Sequence, residues 1–205
     1  MTMIYFTADH HFNHKNIAKY CNRPYDTVED MNQDMVEKWN DVVSDDDIVY
    51  HLGDFTLEGF NTFEKFISRL NGKIRIVPGG HDSRWLDAYR IDPDNFNTVL
   101  ERDVEILPPL TMLEFPREGY PLVITLCHYP LLSWERSHYG MPHFHGHSHG
   151  TLGCIEKSGD LQMPPNTEKG QRIDVGVDCW DHPVSIIELF NELGIDIGDI
   201  TNQVG

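Results

Sequence analysis

The chain has 205 residues, 40% of them hydrophobic and 24% charged, the balance of a folded globular protein with length for one buried core and not comfortably for two. Sixteen Lys and Arg against 33 Asp and Glu leave a formal charge of −17, which disfavours duplex DNA or RNA as a partner, since such binding rests on basic side chains neutralising phosphates. No apolar run approaches a membrane span, and the first residues lack the basic and long apolar segments of a secretion signal, so a cytoplasmic protein with no membrane contact is expected.

In chain order, residues 3–8 (MIYFTA) read as a short buried strand, with Asp9 where it ends. Residues 27–43 read as a helix: Asp26 or Thr27 can cap it, Glu29 and Asp30 suit its first turn, and Val28, Met31, Met35 and Trp39 recur at three- and four-residue spacing. Residues 47–52 (DIVYHL) form a second apolar strand ending at Gly53-Asp54. A helix over 60–70 follows, with Phe63, Phe66, Ile67 and Leu70 on one face and Asn71-Gly72 as its stop. Residues 73–78 (KIRIVP) make a third strand before Gly79-Gly80-His81-Asp82. This alternation predicts parallel α/β units. Beyond it the chain turns strand-rich, at 104–107, 110–115, 121–127, 142–146, 172–178 and 184–189, which suggests two packed sheets. No linker or repeat divides residues 1–205, so a single domain is expected.

Cys21, Cys127, Cys154 and Cys179 lie far apart without a C-x-x-C pair, which predicts free thiols. The 12 histidines are clustered: His10, His11 and His14 near the start, and His138, His143, His145, His147 and His149 in one later segment. Clustering of this kind points to metal or proton chemistry.

Asp9, Asp54, His81 and His128 each fall just after an apolar run that reads as a strand, and ligands of open α/β sheets bind at the carboxyl ends of strands. The motifs in order are Asp9-x-His11, Gly53-Asp54, Gly79-Gly80-His81-Asp82, Cys127-His128 and Gly146-His147-Ser148-His149. Carboxylate and imidazole without thiolate suit Mn, Fe, Zn or Ni, whereas Mg and Ca prefer all-oxygen sites. Glycines before Asp54, His81 and His147 allow tight turns and close approach.

This ordered set resembles the calcineurin-like metallophosphoesterases, whose motifs run D-x-H, G-D, G-N-H-[DE], a lone His and G-H-x-H. The stretches TADHHFNHKNIAKYCNRPY, DIVYHLGDF, FHGHSHG and DVGVDCWDHPVSIIEL look like a small bacterial and phage branch of that family, so the resemblance covers most of the chain. It implies an α/β fold with a two-sheet β-sandwich flanked by helices, in four layers α/β/β/α. It also implies two divalent ions: one held by Asp9, His11 and His149, the other by His128 and His147, with Asp54 bridging. His81 would contact the substrate and serve as general acid, with Asp82 orienting its ring. Two such ions clamp ester oxygens and bring the pKa of a shared water toward neutrality, so that the hydroxide attacks phosphorus. The function implied is hydrolysis of phosphate esters, with a small nucleotide-like phosphodiester as the favoured substrate and monoesters as the alternative.

Gly80 stands where the family has Asn, whose carbonyl ligates the second ion. Weaker occupancy there is expected, and it keeps open a second reading, a catalytically weakened metal-binding scaffold for protein interaction. His14 can reach the substrate phosphate or be an exposed loop histidine. Arg23 can clamp phosphate bidentately or be a surface arginine.

Overall fold

In the computed structural model, residues 2–102, 104–117, 119–156 and 170–195 are described. The elements in order are β1 (Ile4–Thr7), α1 (Ile17–Tyr20), α2 (Val28–Val42), β2 (Ile48–His51), α3 (Phe60–Ile67), β3 (Lys73–Ile76), α4 (Ser83–Ile91), α5 (Pro93–Leu100) and β4 (Val104–Ile106). Next come β5 (Leu110–Phe115), β6 (Leu122–Cys127), a 3-10 turn (Ser137–Tyr139), β7 (His143–His145), β8 (Ile155–Glu156), β9 (Arg172–Asp174), β10 (Val184–Ser185) and α6 (Ile186–Leu193).

The first half folds as its alternation predicts. Strands β1, β2, β3 and β4 are parallel neighbours, and β10 closes the edge antiparallel to β1. A second sheet runs β5-β6-β7-β9-β8. An apolar layer joins the two: Phe6, Tyr50 and Leu52 from one side meet Leu122, Ile124, Phe144 and Ile173 from the other. Phe144 stands edge-on to Phe6 at 4.9 Å. On the far face of the first sheet, Met31, Trp39, Phe63, Phe66, Trp85 and Phe96 bury the helices α2 to α5. The result is a mixed α/β fold of two sheets flanked by helices. Among the described residues no helix is long and apolar enough to cross a membrane.

Local chemistry explains the element boundaries. The Thr27 hydroxyl accepts the Asp30 N–H at 3.1 Å and starts α2. The expected 60–70 helix ends at Ile67, before Asn71-Gly72. Arg102 covers the chain beyond it: its guanidinium donates to the Ile67, Leu70 and Gly72 carbonyls, which have no partner further along a helix. Helices α4 and α5 were not anticipated, although Asp92-Pro93 opens α5 with a side-chain cap on the Asn95 N–H. Residues 184–189 are a strand for two residues only. Ser185 and Glu188 then form a capping box and launch α6, a signal present in Ser185-Ile-Ile-Glu188 and outweighed by its apolar, β-branched look. Likewise 172–178 is strand only through Asp174, where the carboxylate takes the Gly176 N–H at 2.8 Å and turns the chain.

Cys154 and Cys179 form a disulfide, correcting the expectation of four free thiols, while Cys21 and Cys127 are free. The two partners are 25 residues apart, and only the sheet, which sets β9 beside β7 and β8, brings them together. The bond ties the loop after β7 to the turn after β9.

Candidate metal centre

Five strands, β1, β2, β3, β6 and β7, deliver the expected residues to one rim. Past β1 and β2 the chains remain zipped, with Asp9 N–H on Gly53 O at 3.0 Å, His11 N–H on Asp54 O at 3.0 Å and Phe12 N–H on Phe55 O at 2.8 Å. An isolated bridge between Ala8 and Gly176 joins the two sheets at this rim, and Gly146 N–H donates to His128 O at 3.0 Å. Ligand-bearing loops from both sheets are thereby fixed to one another by backbone bonds.

The backbone is strained where chemistry is expected. Asp9, His11, Asp54, His147 and His149 all have φ between 48° and 68°, a left-handed conformation that costs an L-residue roughly 1–2 kcal/mol. Such strain persists where surrounding structure over-determines it, as at binding and catalytic sites. Two glycines show how tight the packing is. A Cβ on Gly53 would lie 2.4 Å from Gly79 N, and one on Gly146 would lie 2.6 Å from the Asp9 carboxylate. Gly80, directly before His81, is different. Its φ is not in the left-handed region, and an added Cβ would meet only the Tyr129 hydroxyl, at 2.9 Å. The expected backbone need for glycine before His81 therefore does not hold at that position.

The side chains gather into two groups whose ligand atoms lie within 4.8 Å of one another: Asp9, His11 and His149, and Asp54, His128 and His147. Asp54 Oδ2 stands between them, 3.6 Å from His11 Nε2 and 3.5 Å from His128 Nε2. Among the described residues, His11 Nε2, His128 Nε2 and Asp9 Oδ1 are buried without a hydrogen-bond partner. The opposite nitrogen of His128 is held by Leu52 O at 2.8 Å, which fixes its ring with Nε2 toward Asp54. His149 is fixed in the same way: its Nδ1 meets Asp178 Oδ2 at 2.7 Å. His147 is anchored by its backbone N–H on Asp9 Oδ2 at 2.8 Å, and its ring is exposed.

Charges within this cluster displace one another. Burial, helped by the charges of Asp174 and Asp54, raises Asp9 to about 7 against the pull of His128 and His149. Burial alone would lower His128, but its contact with Asp54 and the charges of Asp54 and Asp9 raise it to about 9. Burial takes His11 down to about 3 despite Asp54. Burial would raise Asp54, yet His128, the His81 backbone N–H and His11 hold it below the usual carboxylate range. The protein alone thus balances its central carboxylate with a proton on His128, a role that a metal cation can take over.

His81 sits over this centre. Its backbone N–H donates to Asp54 Oδ1 at 2.9 Å. Its ring is 54% exposed, with Nε2 3.9 Å from Asp54 Oδ2. His14 lies beside it: its ring is 5.8 Å from that of His11, and its Nδ1 is buried and unpartnered. Burial, then the nearby His81 and Arg23, lower its pKa.

Two expected roles are corrected. Asp82 does not orient the His81 ring. Its oxygens accept the N–H groups of Asp54, Phe55 and Gly79 and the Trp85 indole at 2.8–2.9 Å, so it staples the Gly53–Phe55 loop to the Gly79–Asp82 loop from below. Arg23 is no phosphate clamp. It is buried, and its donors reach Asp178 Oδ1 and Oδ2, His10 O, Asp9 O and Met31 Sδ. Five N–H groups meet five acceptors, leaving none for a substrate. Arg23 holds Asp178, and Asp178 holds His149.

Asp178 and Asp174 were missed by the sequence reading. Asp174 accepts the Ser148 hydroxyl at 2.6 Å and the Gly150 N–H at 2.9 Å, shaping the loop that carries His147 and His149. Their signal was the pair of carboxylates in the DVGVD run, inside the stretch 172–178 expected as a strand. Cys21 lies near His149 and Asp178, where burial and the Asp178 charge raise its thiol to about 11. His10 and His51 pair at 3.0 Å beneath the rim, and His143 bonds Thr125 O and the 129–131 loop, so the rings of these histidines are engaged within the fold.

Fold and site together define the class: a two-sheet α/β protein with a histidine and carboxylate centre of metal-binding type at the carboxyl ends of its strands. No family model matches the chain. Its sequence is 49% identical to an uncharacterized protein, MJ1445, of Methanocaldococcus jannaschii, over 94 residues that make up 44% of this chain and 52% of that protein. The match thus spans about half of that relative's length. The Gene 66 protein of Mycobacterium phage L5 is 24% identical over 93% of this chain and 94% of its own, and that of phage D29 is 23% identical with 92% and 94% covered. Among solved structures, AQ665 of Aquifex aeolicus, a protein of unknown function, superposes with a TM-score of 0.63 at 24% identity, covering 94% of this chain and all of that one. That likeness concerns the fold alone.

Proposed function

We propose that the protein is a metal-dependent phosphoesterase with the calcineurin-like fold, four layers included, hydrolysing small phosphate esters and preferring nucleotide-like phosphodiesters. The observation that carries this reading is the set of buried, partnerless ligand atoms, Asp9 Oδ1, His11 Nε2 and His128 Nε2, in two groups that meet at Asp54 Oδ2. Leaving buried polar atoms unsatisfied costs about 1–3 kcal/mol each, and a pair of cations satisfies all three at once. The donors are nitrogen and carboxylate oxygen, which fits Mn, Fe, Zn or Ni.

Asp9, His11, His149 and the shared Asp54 would hold one ion, and His128, His147 and Asp54 the other. When bound, two such ions supply the positive charge that clamps ester oxygens and acidifies a water. His81, exposed beside Asp54, gives a proton to the departing ester oxygen. His14, whose buried Nδ1 has no partner among the described residues, lies next to the His11 ring. The net charge of −17 favours a small ester over a long polyanion.

Turnover of bis(p-nitrophenyl) phosphate with Mn tests this reading. Activity is expected with metal and is expected to vanish with a chelator. His81→Ala should retain its metal and lose about 10²–10⁴-fold on esters with poor leaving groups, with a smaller loss for p-nitrophenolate. Equal rates for wild type and variant on both kinds of ester would refute the acid role. The scaffold reading has Gly80 in its favour, and full metal loading with no turnover on any ester would select it.

A further inference from the structure

Gly80 is where the family resemblance predicts a missing ligand, and its surroundings offer a replacement. Its backbone does not demand glycine, because its φ is outside the left-handed region. A side chain there would enter space already taken: the Cβ would lie 2.9 Å from the Tyr129 hydroxyl and 4.0 Å from Tyr129 Cζ, with no other atom within 4 Å. Tyr129 follows the ligand His128 directly. Its ring stands edge-on to His128 and to His147, with centroids 4.8 Å apart in both cases. Those are the two imidazoles of the Asp54 group. Among the described residues the Tyr129 hydroxyl makes no hydrogen bond, and the residue is 46% exposed.

We propose that the Tyr129 hydroxyl is the oxygen donor of the second metal position, filling the place of the side chain that Gly80 lacks. The inference rests on the metal-centre reading above and names a residue that reading does not contain. A phenol oxygen is a competent acceptor toward a cation, and tyrosine serves as a metal ligand elsewhere. The ring is braced by two imidazoles that must themselves converge on the same ion, so the hydroxyl is delivered to the open side of the group. Gly80 and Tyr129 then form one device: the small residue makes room, and the large one reaches across. A side chain at 80 and the hydroxyl in its present place exclude one another.

The test is a calorimetric titration of the metal-stripped full chain with Mn²⁺, reading stoichiometry and both dissociation constants for four proteins: wild type, Tyr129→Phe, Gly80→Asn and the double variant. Tyr129→Phe keeps the ring packing and removes only the oxygen. It should weaken the second ion by roughly 10–100-fold, the range seen when metal-site partners are removed, and leave the first ion unchanged. Adding Gly80→Asn to Tyr129→Phe should restore the second ion, since an amide oxygen then enters the vacated space. The unchanged first ion is the built-in sign that each variant is folded. Two ions bound by wild type and by Tyr129→Phe with equal affinity would overturn the proposal and leave the metal centre standing. The same holds if Tyr129→Phe raises KM for bis(p-nitrophenyl) phosphate without touching metal affinity, which would place the hydroxyl on the substrate instead. No ion bound by wild type would overturn the metal centre itself, and this inference with it.

Discussion

Asp9, His11 and His149 form a braced half of the centre, while Asp54, His128 and His147 form a half with one side open. In the first, His149 is held by Asp178 at 2.7 Å, and Asp178 by two donors of Arg23 at 2.7 and 2.8 Å. The loop shaped by Asp174 and tied by the Cys154–Cys179 disulfide carries His147 as well as His149, so what sets the first half apart is the Arg23–Asp178 brace on the His149 ring. In the second, Asp54 and His128 are buried and fixed, but the His147 ring is exposed and, among the described residues, packs against the rings of His128 and Tyr129. Second-layer bracing sets a ligand's orientation and basicity. The first half should therefore bind its ion tightly and resist perturbation, and the second should exchange its ion and meet the substrate.

Asp54→Ala removes the carboxylate that lies between both halves. Both ions should weaken by more than about 100-fold, beyond what loss of an outer partner costs, and Mn titration reads the loss. Arg23→Met comes next. It strands a buried Asp178 carboxylate, and breaking a buried ion pair costs about 3–5 kcal/mol, so denaturant unfolding should shift by that order while the Asp54 group keeps its ion. Asp178→Asn is milder. The first ion should weaken roughly 10–100-fold and the second should not, and equal weakening of both would erase the distinction between the halves.

The smallest effect is on pH. His128 is raised to about 9, so the stability its proton contributes in the metal-free protein is complete below its ordinary value of about 6.5 and is lost as pH rises through about 9. Asp9, raised to about 7, also destabilises the metal-free fold as pH rises from its ordinary range toward that value. Metal uptake has the opposite sign, since both groups must shed protons to bind. Chelator-treated protein should lose a few degrees of Tm between about pH 6.5 and about 9, and Mn should reverse that trend. A metal-free Tm that climbs across this window would contradict the charge balance assigned to His128 and Asp54.

Much of this was legible in the sequence for a physical reason. Strands that end in Asp or His announce both the sheet and its rim, so β1, β2, β3 and β6 and the ligands after them could be placed together from apolar runs alone. What stayed hidden is what distant segments do to one another. Arg23 looks like any basic loop residue until the fold sets it against Asp178, 155 positions away. Cys154 and Cys179 look unrelated until neighbouring strands align them. Asp82 follows His81 in sequence yet turns its carboxylate to the backbone of Asp54 and Phe55. The apolar Val184–Leu189 run was misjudged for a different reason. Its capping box was present in the sequence, but β-branched composition pulled the reading toward a strand.

In the proposed centre Asp54 is shared by two ions. Anomalous diffraction from Mn-loaded crystals measures this directly. Two peaks are expected roughly 3.5–4 Å apart with the Asp54 carboxylate between them, one against Asp9, His11 and His149 and the other against His128 and His147. A single peak, or two that do not share Asp54, would contradict it.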